Sequence, residues 1–495
     1  MFALSGSLDN YFQLSDFTFF IPTIFLFIVY LLVFKSKLSV ISRKYRLLSI
    51  GILFLLSAFV FLGGTAISLI KGIPVENKFY NRNNNQPAFV SYHGLFPLWA
   101  YQIISYMYTD NKPITENEKN QINRFISDNN FGIANNLPQN KNLIIILVES
   151  LSTWVTKVEQ GNATPFLTEL ANSDSVIYLP NILPQVNHGR SADAQLIINT
   201  GLLPVRNNTV ANLYANQCYP SLIKELKNRD LFSMTIMGCK PAVWNQKTMN
   251  IAYGIDTLIH SQNLVADEII GMGISDKSVF KQSVNIFKSL HERPFFAQII
   301  TLSSHDAIDF AHRKSRLILS ETLPSETVNY IKSIEYVDEA IKLIFEELKK
   351  VDLLRNSIIV ITGDHEGMFV EGVRDFFPEC VNTFEDNTTT FTPLYIVNSD
   401  RAYKQAEGQV AGQIDIYPTL LDIMGLSDYR WRGVGTSIFS ENPSTFAINK
   451  NFKVVGDTTN CSEAKIQHKK DAWNISDLII RKKYFDTEQK LKINQ

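Results

Sequence analysis

Two apolar runs, far apart in the chain, each end abruptly on ionisable side chains. Leu143-Ile144-Ile145-Ile146-Leu147-Val148 stops at Glu149, and Ser357-Ile358-Ile359-Val360-Ile361-Thr362 stops at Gly363-Asp364-His365-Glu366-Gly367. A short apolar run closed by glycine or a charge reads as a strand buried on both faces, which is the habit of parallel sheets. Open α/β sheets place their active sites at the carboxyl edge of such strands. Glu149 and Asp364-His365 therefore belong to one edge. Between them in sequence lies Asn187-His188-Gly189-Arg190-Ser191-Ala192-Asp193, a glycine-flanked turn in which Ser191 opens a helical stretch.

The rest of the chain from residue 142 onward repeats this grammar. Strands are expected at 143–149, 231–237, 295–302, 357–362 and 392–397. Helices are expected at 116–129, 164–172, 191–201, 219–228, 275–290, 325–349 and 416–425. In the longest of these, Val328, Ile331, Ile334, Val337, Ile341 and Ile344 recur at three- and four-residue spacing, the mark of one buried helix face. Alternating strand and helix predicts an α/β fold with one large, mostly parallel sheet covered by helices on both faces. No internal repeat is visible. The tail, with Phe446-Ala447-Ile448 and Phe452-Lys453-Val454-Val455, predicts a small antiparallel sheet.

Two stretches near the N-terminus lack charge altogether, residues 17–34 and 47–70. A helix needs roughly 20 apolar residues to cross a bilayer core, so both qualify, and Pro22 is tolerable there. A signal peptide would need a basic leader, yet Asp9 and Asp16 precede the first stretch and no Lys or Arg does. Two buried core helices would not be joined by Lys35, Lys37, Arg43, Lys44 and Arg46 without one acid among them. That basic loop belongs in the cytoplasm, which puts everything after Lys71 outside it. The expected organisation is a membrane anchor with two transmembrane helices over 1–75, a juxtamembrane connector over 76–140, a catalytic domain over 141–445 and a C-terminal extension over 446–495 packed on it. The aromatic stretch from Gly94 to Tyr108 suits either a membrane surface or packing on the catalytic domain.

A net charge of −1 gives no reason to expect nucleic acid as a partner. The four cysteines, Cys218, Cys239, Cys380 and Cys461, show no CxxC spacing, so a zinc knuckle is not expected. Export permits two disulfides, and free buried thiols fit equally well.

Each chemistry-bearing residue also has a plainer reading. A carboxylate such as Glu149 at a buried strand end costs several kcal/mol unless it is paired or metal-bound; a structural ion pair would serve as well. Asp364 and His365 together suit zinc or manganese, although Asp is also a common turn residue. Ser191 is an ordinary helix N-cap or a nucleophile, since a divalent cation promotes loss of the hydroxyl proton and a helix N-terminus steadies arriving negative charge. His305, just past a strand, is a general acid or a structural residue. Trp244-Asn245-Gln246 either shapes a substrate pocket or packs in the core.

Taken together, these residues resemble the lipoteichoic acid synthase-like phosphoglycerol transferases of the sulfatase and alkaline-phosphatase superfamily. The resemblance covers roughly residues 90–440 and rests on Leu147-Val148-Glu149-Ser150, Gly189-Arg190-Ser191-Ala192-Asp193, Trp244-Asn245, Ser304-His305, Gly363-Asp364-His365 and the string from Gln413 to Gly425. Tyr92-His93-Gly94-Leu95-Phe96-Pro97 also looks like that family's connector. It implies one divalent metal ion, manganese first and zinc or magnesium as alternatives, held by Glu149, Ser191, Asp364 and His365. It implies Ser191 and His305 as catalytic residues, and Arg190, Cys239, Trp244, Asn245 and Gln246 around the substrate. The implied partners are a phospholipid donor, a glycan or glycolipid acceptor and the membrane, with no nucleic acid. The implied reaction moves a phosphoglycerol-type headgroup through a phospho-Ser intermediate, with phosphoethanolamine transfer, hydrolysis of a phosphodiester or a non-catalytic polymer binder as alternatives. The implied location is a bacterial cytoplasmic (inner) membrane, with the catalytic domain extracytoplasmic in the cell envelope. The sequence departs from the pattern at four places. Ser191 stands for Thr, Cys239 and Gln246 stand where the family carries Asp and Arg, and Met368 stands for Ser. The family carries five membrane spans against two here. The residues after Ser191 lack the context that converts a sulfatase nucleophile to formylglycine, which argues against sulfatase activity.

Overall fold

The computed structural model describes residues 113–128, 141–290, 293–305, 310–368, 373–399, 401, 403, 408–426 and 429–486. Both uncharged stretches and the connector as far as residue 112 lie outside the described residues. Among the described residues, no helix is long and apolar enough to cross a membrane.

Helix α1 (Glu116–Asp128) precedes β1 (Asn142–Val148), and the chain then runs through α2 (Pro165–Ala171), β2 (Val176–Leu183), α3 (Ser191–Thr200), α4 (Val210–Leu213), α5 (Leu222–Lys227) and β3 (Phe232–Met237). Next come α6 (Gln246–Tyr253), β4 (Thr257–Ile259), a hairpin of β5 (Ile269–Ile270) and β6 (Gly273–Ile274), α7 (Asp276–Lys288) and β7 (Phe295–Ile300). The last part holds α8 (Ser325–Lys350), β8 (Ser357–Gly363), β9 (Thr392–Val397), β10 (Ala411–Gly412), α9 (Ile416–Ile423), β11 (Phe446–Ile448), β12 (Val454–Gly456) and α10 (Glu463–Arg481).

One sheet of eight described strands forms the centre, in the order β10-β2-β9-β8-β1-β7-β3-β4. Its pairings are parallel except those of β9, which runs against both β8 and β2. The mostly parallel sheet expected from the apolar runs is therefore present, with one reversed strand. Strand β1 shows why those runs had no alternation: Leu143, Ile145 and Leu147 enter one apolar cluster, while Ile144, Ile146 and Val148 enter the other, on the opposite face. Each such side chain contributes roughly 1.5–3 kcal/mol when fully buried.

Helix α8 buries Ile331, Ile334, Val337, Ile341 and Ile344, the stripe its spacing predicts. Strand β2 was not expected, and Pro180 in its middle explains why. The ladder shifts register between Leu179 and Ile182, since proline supplies no N–H and is tolerated at a bulge. In the tail, β11 and β12 pair antiparallel as their apolar triplets predict. Helix α10 sends Trp473, Ile475, Ile479 and Ile480 into the same apolar cluster as Leu143 and Ile145, so residues after 445 pack on the main core. All four cysteines are free thiols.

Candidate active site

Parallel strands β1, β2, β7 and β8 finish at one edge of the sheet, and the chemistry gathers there. Glu149 follows β1, and its backbone N–H donates to Thr301 Oγ1, just past β7, at 2.9 Å. Asp364 and His365 follow β8, and Asp364 Oδ1 accepts the N–H groups of Ser150 at 2.8 Å and His365 at 2.7 Å. Gln413 fixes the same turn by donating to the Asp364 carbonyl at 2.8 Å. Gly367 has to be glycine, since a Cβ there would meet the Ser150 carbonyl and the Tyr330 ring.

Ser191 arrives from the other direction, as the first residue of α3 after a turn that starts at the end of β2. That turn is tied by Asp193, whose Oδ2 accepts the N–H groups of Asn187 and Gly189 at 2.9 Å each. Burial pushes the Asp193 carboxyl up to about 6 despite those two bonds. A Cβ on Gly189 would meet the same carboxylate, so the turn closes only on glycine. Arg190 takes a left-handed φ of 44°, unusual for a residue with a side chain, and thereby aims the Ser191 hydroxyl at the sheet edge.

The four residues meet. Ser191 Oγ donates to Glu149 Oε2 at 3.1 Å and lies 3.4 Å from His365 Nε2. His365 Nε2 is 3.3 Å from Glu149 Oε1 and 3.6 Å from Asp364 Oδ2. All four are buried. Glu149, Asp364 and His365 bring one ligand atom each within 4.8 Å of one another. Asp364 Oδ2 is buried and has no hydrogen-bond partner, an orphaned polar atom of the kind a cation satisfies.

The electrostatics point the same way. Burial raises the Glu149 carboxyl, but bonds and charge from His365 outweigh it and hold the pKa near 2. Burial and the neighbouring Glu149 charge push Asp364 up to about 7. Burial lowers His365, while the Asp364 and Glu149 carboxylates overcome it and raise the imidazole to about 9. Two carboxylates and one imidazole thus compete for too little positive charge. His365 Nδ1 lies 2.9 Å from both the Glu366 carbonyl and Arg190 Nη2, so Nε2 is the ring nitrogen turned toward Ser191, Glu149 and Asp364.

The remaining expected residues stand around this centre in different ways. Arg190 pairs with Glu366 Oε1 at 2.5 Å and with the Glu366 carbonyl at 3.1 Å, so its guanidinium is engaged beside His365. His305 is exposed at the end of the loop after β7, held by its N–H to the Leu302 carbonyl at 3.0 Å. Cys239 is buried, and its thiol is pushed up to about 12 by burial. Trp244 and Asn245 both take left-handed φ, 50° and 51°, and Asn245 donates to the Ala211 carbonyl at 2.9 Å. Gln246 turns inward: it is buried, and its Oε1 accepts from Asn250 at 3.1 Å in the core.

Sequence reasoning passed over Ser150, Thr301 and Glu366. Ser150 takes a left-handed φ of 59° and donates to Glu149 Oε1 at 2.9 Å. Its position directly after a strand-end carboxylate was the available signal. Thr301 and Glu366 gave none, being ordinary residues beside conspicuous ones.

The sulfatase family model matches residues 141–426 of this chain. Lipoteichoic acid synthase 2 of Bacillus subtilis (strain 168) is 27% identical over 86% of this chain and 66% of its own length. The lipoteichoic acid synthase of Staphylococcus aureus (strain NCTC 8325 / PS 47) is 24% identical over 89% of this chain and 69% of its own length. The chain thus spans about two thirds of the length of these relatives. Among solved structures, the lipoteichoic acid synthase LtaP from Listeria monocytogenes has the same fold, with a TM-score of 0.61 and 20% identity over 73% of this chain and 98% of that one. A protein in the alkaline phosphatase superfamily from Vibrio parahaemolyticus gives 0.59 and 18% over 76% of this chain and 98% of that one. With more than half its length matched by the family model and its fold shared with these structures, the chain belongs to the sulfatase family and is similar to the lipoteichoic acid synthases.

Proposed function

We propose that this chain is a membrane-anchored phosphotransferase that moves a phosphoglycerol-type headgroup from a phospholipid to a hydroxyl of a glycan or glycolipid. The observation that carries the reading is the Ser191 hydroxyl, held at the first turn of α3 and 3.1 Å from Glu149 Oε2, with the unpartnered Asp364 oxygen beside it. Similarity to lipoteichoic acid synthases supports the substrate class.

Glu149, Asp364 and His365, with Ser191, would hold a divalent cation, manganese in the first instance, and when bound it supplies positive charge against the transferring phosphoryl group. Ser191 Oγ loses its proton to solvent and attacks phosphorus; the bond to the diacylglycerol oxygen breaks, and that oxygen gains a proton from His305. The α3 N-terminus turns the positive end of its helix dipole toward the phosphoryl oxygens. An acceptor hydroxyl then attacks phosphorus and gives its proton to His305, and as the bond to Ser191 Oγ breaks that oxygen takes a proton from solvent. A lipid donor also fits an exported site, where ATP is absent.

Headgroup choice rests on the Trp244 side. Gln246 turns inward and Cys239 stays protonated, so neither presents charge to an anionic headgroup. Phosphoethanolamine is therefore the second reading. One experiment separates them. The purified chain is incubated with manganese and labelled phosphatidylglycerol and phosphatidylethanolamine, and Ser191 peptides are weighed by mass spectrometry. A phosphoglycerol adduct, absent from Ser191→Ala, is the expected result; a phosphoethanolamine adduct selects the second reading. No adduct on protein with metal bound refutes the covalent mechanism. Turnover that needs an added acceptor hydroxyl separates transfer from hydrolysis.

A further inference from the structure

The segment from Ser261 to Ile274 leaves the sheet edge beside the candidate site and returns to the same place. Ser261 N–H donates to the Cys239 carbonyl at 3.2 Å and Ile274 N–H to the Gly238 carbonyl at 3.0 Å, so both ends are fastened to the loop after β3. A Cβ on Gly273 would meet the Gly238 carbonyl and Leu302, which places the base of this excursion against the loop that carries His305. At its outer part, the side chains of Val265, Ile269 and Met272 are 69%, 66% and 48% exposed. They are not loose. Val265 is pinned by both backbone groups to the Gln282 side chain at 2.7 and 2.9 Å, Ile269 opens β5, and Met272 sits in the β5–β6 turn. A rigid scaffold that holds three large apolar side chains outward marks a contact surface.

Charge decides what it contacts. The two acids of the segment are tied back to the protein. Asp267 accepts from Ser278. Glu268 accepts from Ser275 at 2.6 Å and Tyr336 at 3.0 Å and pairs with Arg313 at 3.4 Å. Lys240, Lys281 and Lys314, on the three elements that border the excursion, are exposed. The chain that precedes the described residues carries the two uncharged stretches 17–34 and 47–70. Apolar side chains at the tip, lysines behind them and a chain with bilayer-length segments together fit the interface of an anionic lipid bilayer.

We infer that Val265, Ile269 and Met272 form a lipid-surface contact that seats the active-site mouth against an anionic bilayer and delivers the headgroup to it. This rests on the lipid-donor reading above. The test compares the full chain with a Val265→Ser, Ile269→Ser, Met272→Ser variant on two substrates: phosphatidylglycerol in vesicles and a water-soluble short-chain phosphatidylglycerol below its micelle concentration. The expected result is a loss of roughly tenfold or more on vesicles, with turnover of the soluble diester unchanged. Equal turnover of both substrates by variant and parent, or an equal fall on both, overturns the inference. Should the parent turn over neither, the lipid-donor reading fails, and a second measurement still judges the surface. Tryptophan introduced as Ile269→Trp in the reconstituted full chain is expected to be quenched by lipids brominated on their acyl chains, and Leu213→Trp is not. Equal quenching at the two positions overturns the inference on its own.

Discussion

Asp276 touches neither Ser191 nor the proposed ligands, yet its carboxylate accepts the N–H groups of Leu302 at 2.8 Å and Ser303 at 3.1 Å and so sets the loop that ends in His305. Burial is the largest influence on it and drives the carboxyl up to about 6 against a usual value of 3.8. A carboxyl raised on folding favours the folded state in its protonated form. Its contribution is complete below the unfolded pKa and is lost as pH rises through the folded one, a window of about pH 4 to 6. About two pH units correspond to on the order of 3 kcal/mol. Asp276→Asn stays neutral, so its stability relative to the parent should climb across that window and then level off. Denaturation midpoints of both proteins at a series of pH values check this; a constant difference from pH 4 to 7 would exclude a raised Asp276. The variant should also have a lower kcat and form the Ser191 adduct more slowly without losing it, because His305 loses its placement and Ser191 does not.

Helix α9 shows what the late apolar string of the sequence is for. Asp422 on this helix pairs with Arg432, both almost wholly buried, and Arg432 also donates to the Leu426 carbonyl at 3.0 Å. Removing one member of a buried ion pair strands the other charge, which typically costs 3–5 kcal/mol. Asp422→Ala should therefore lower stability by roughly that amount in urea titrations, while Asp422→Ala with Arg432→Met recovers much of it. A single variant within about 0.5 kcal/mol of the parent would contradict the pairing. Elements such as α9, α8 and β8 were legible in the sequence because one rule governed each, a helical stripe or a strand buried on both faces. Elements that answered to several rules were not. Strand β2 carries Pro180 and reads as a loop until its bulge is seen. Helix α6 begins after two left-handed residues, Trp244 and Asn245, which no propensity anticipates. Gln246 was placed with the substrate from its neighbours in the chain, and the same backbone reversal sends it into the core instead. The strand-end carboxylate, the Asp-His pair and the Gly-Arg-Ser turn stood out because each breaks an apolar run where a buried charge needs a reason. Thr301 bonds to Glu149 without breaking any pattern, so only three-dimensional structure reveals it, whereas Ser150 had its place after the strand-end carboxylate as a signal.

At the scale of the whole molecule, the site sets a limit on stability. The sheet brings β1 and β8 side by side, so their two terminal carboxylates are forced together whatever occupies the edge. Without a cation, Glu149 and Asp364 repel, Asp364 is pushed up to about 7, and its Oδ2 stays unpartnered. A ligand that binds only the folded state adds RT ln(1 + [L]/Kd), about 2.7 kcal/mol at a hundredfold excess over Kd. Manganese should accordingly raise the thermal midpoint of the chelator-treated protein, and more chelator should reverse the rise. Asp364→Asn removes one charge from the crowded pair. It should match or exceed the parent in chelator, since the repulsion is gone, and should show little of the manganese-induced rise. The two halves of this prediction pull in opposite directions, which is what makes it informative. A general weakening of the fold would lower the variant in chelator, and a metal bound elsewhere would raise both proteins alike. Only a cation held against Asp364 makes the substitution harmless without metal and costly with it, and differential scanning calorimetry of the two proteins in each condition reads all four midpoints directly.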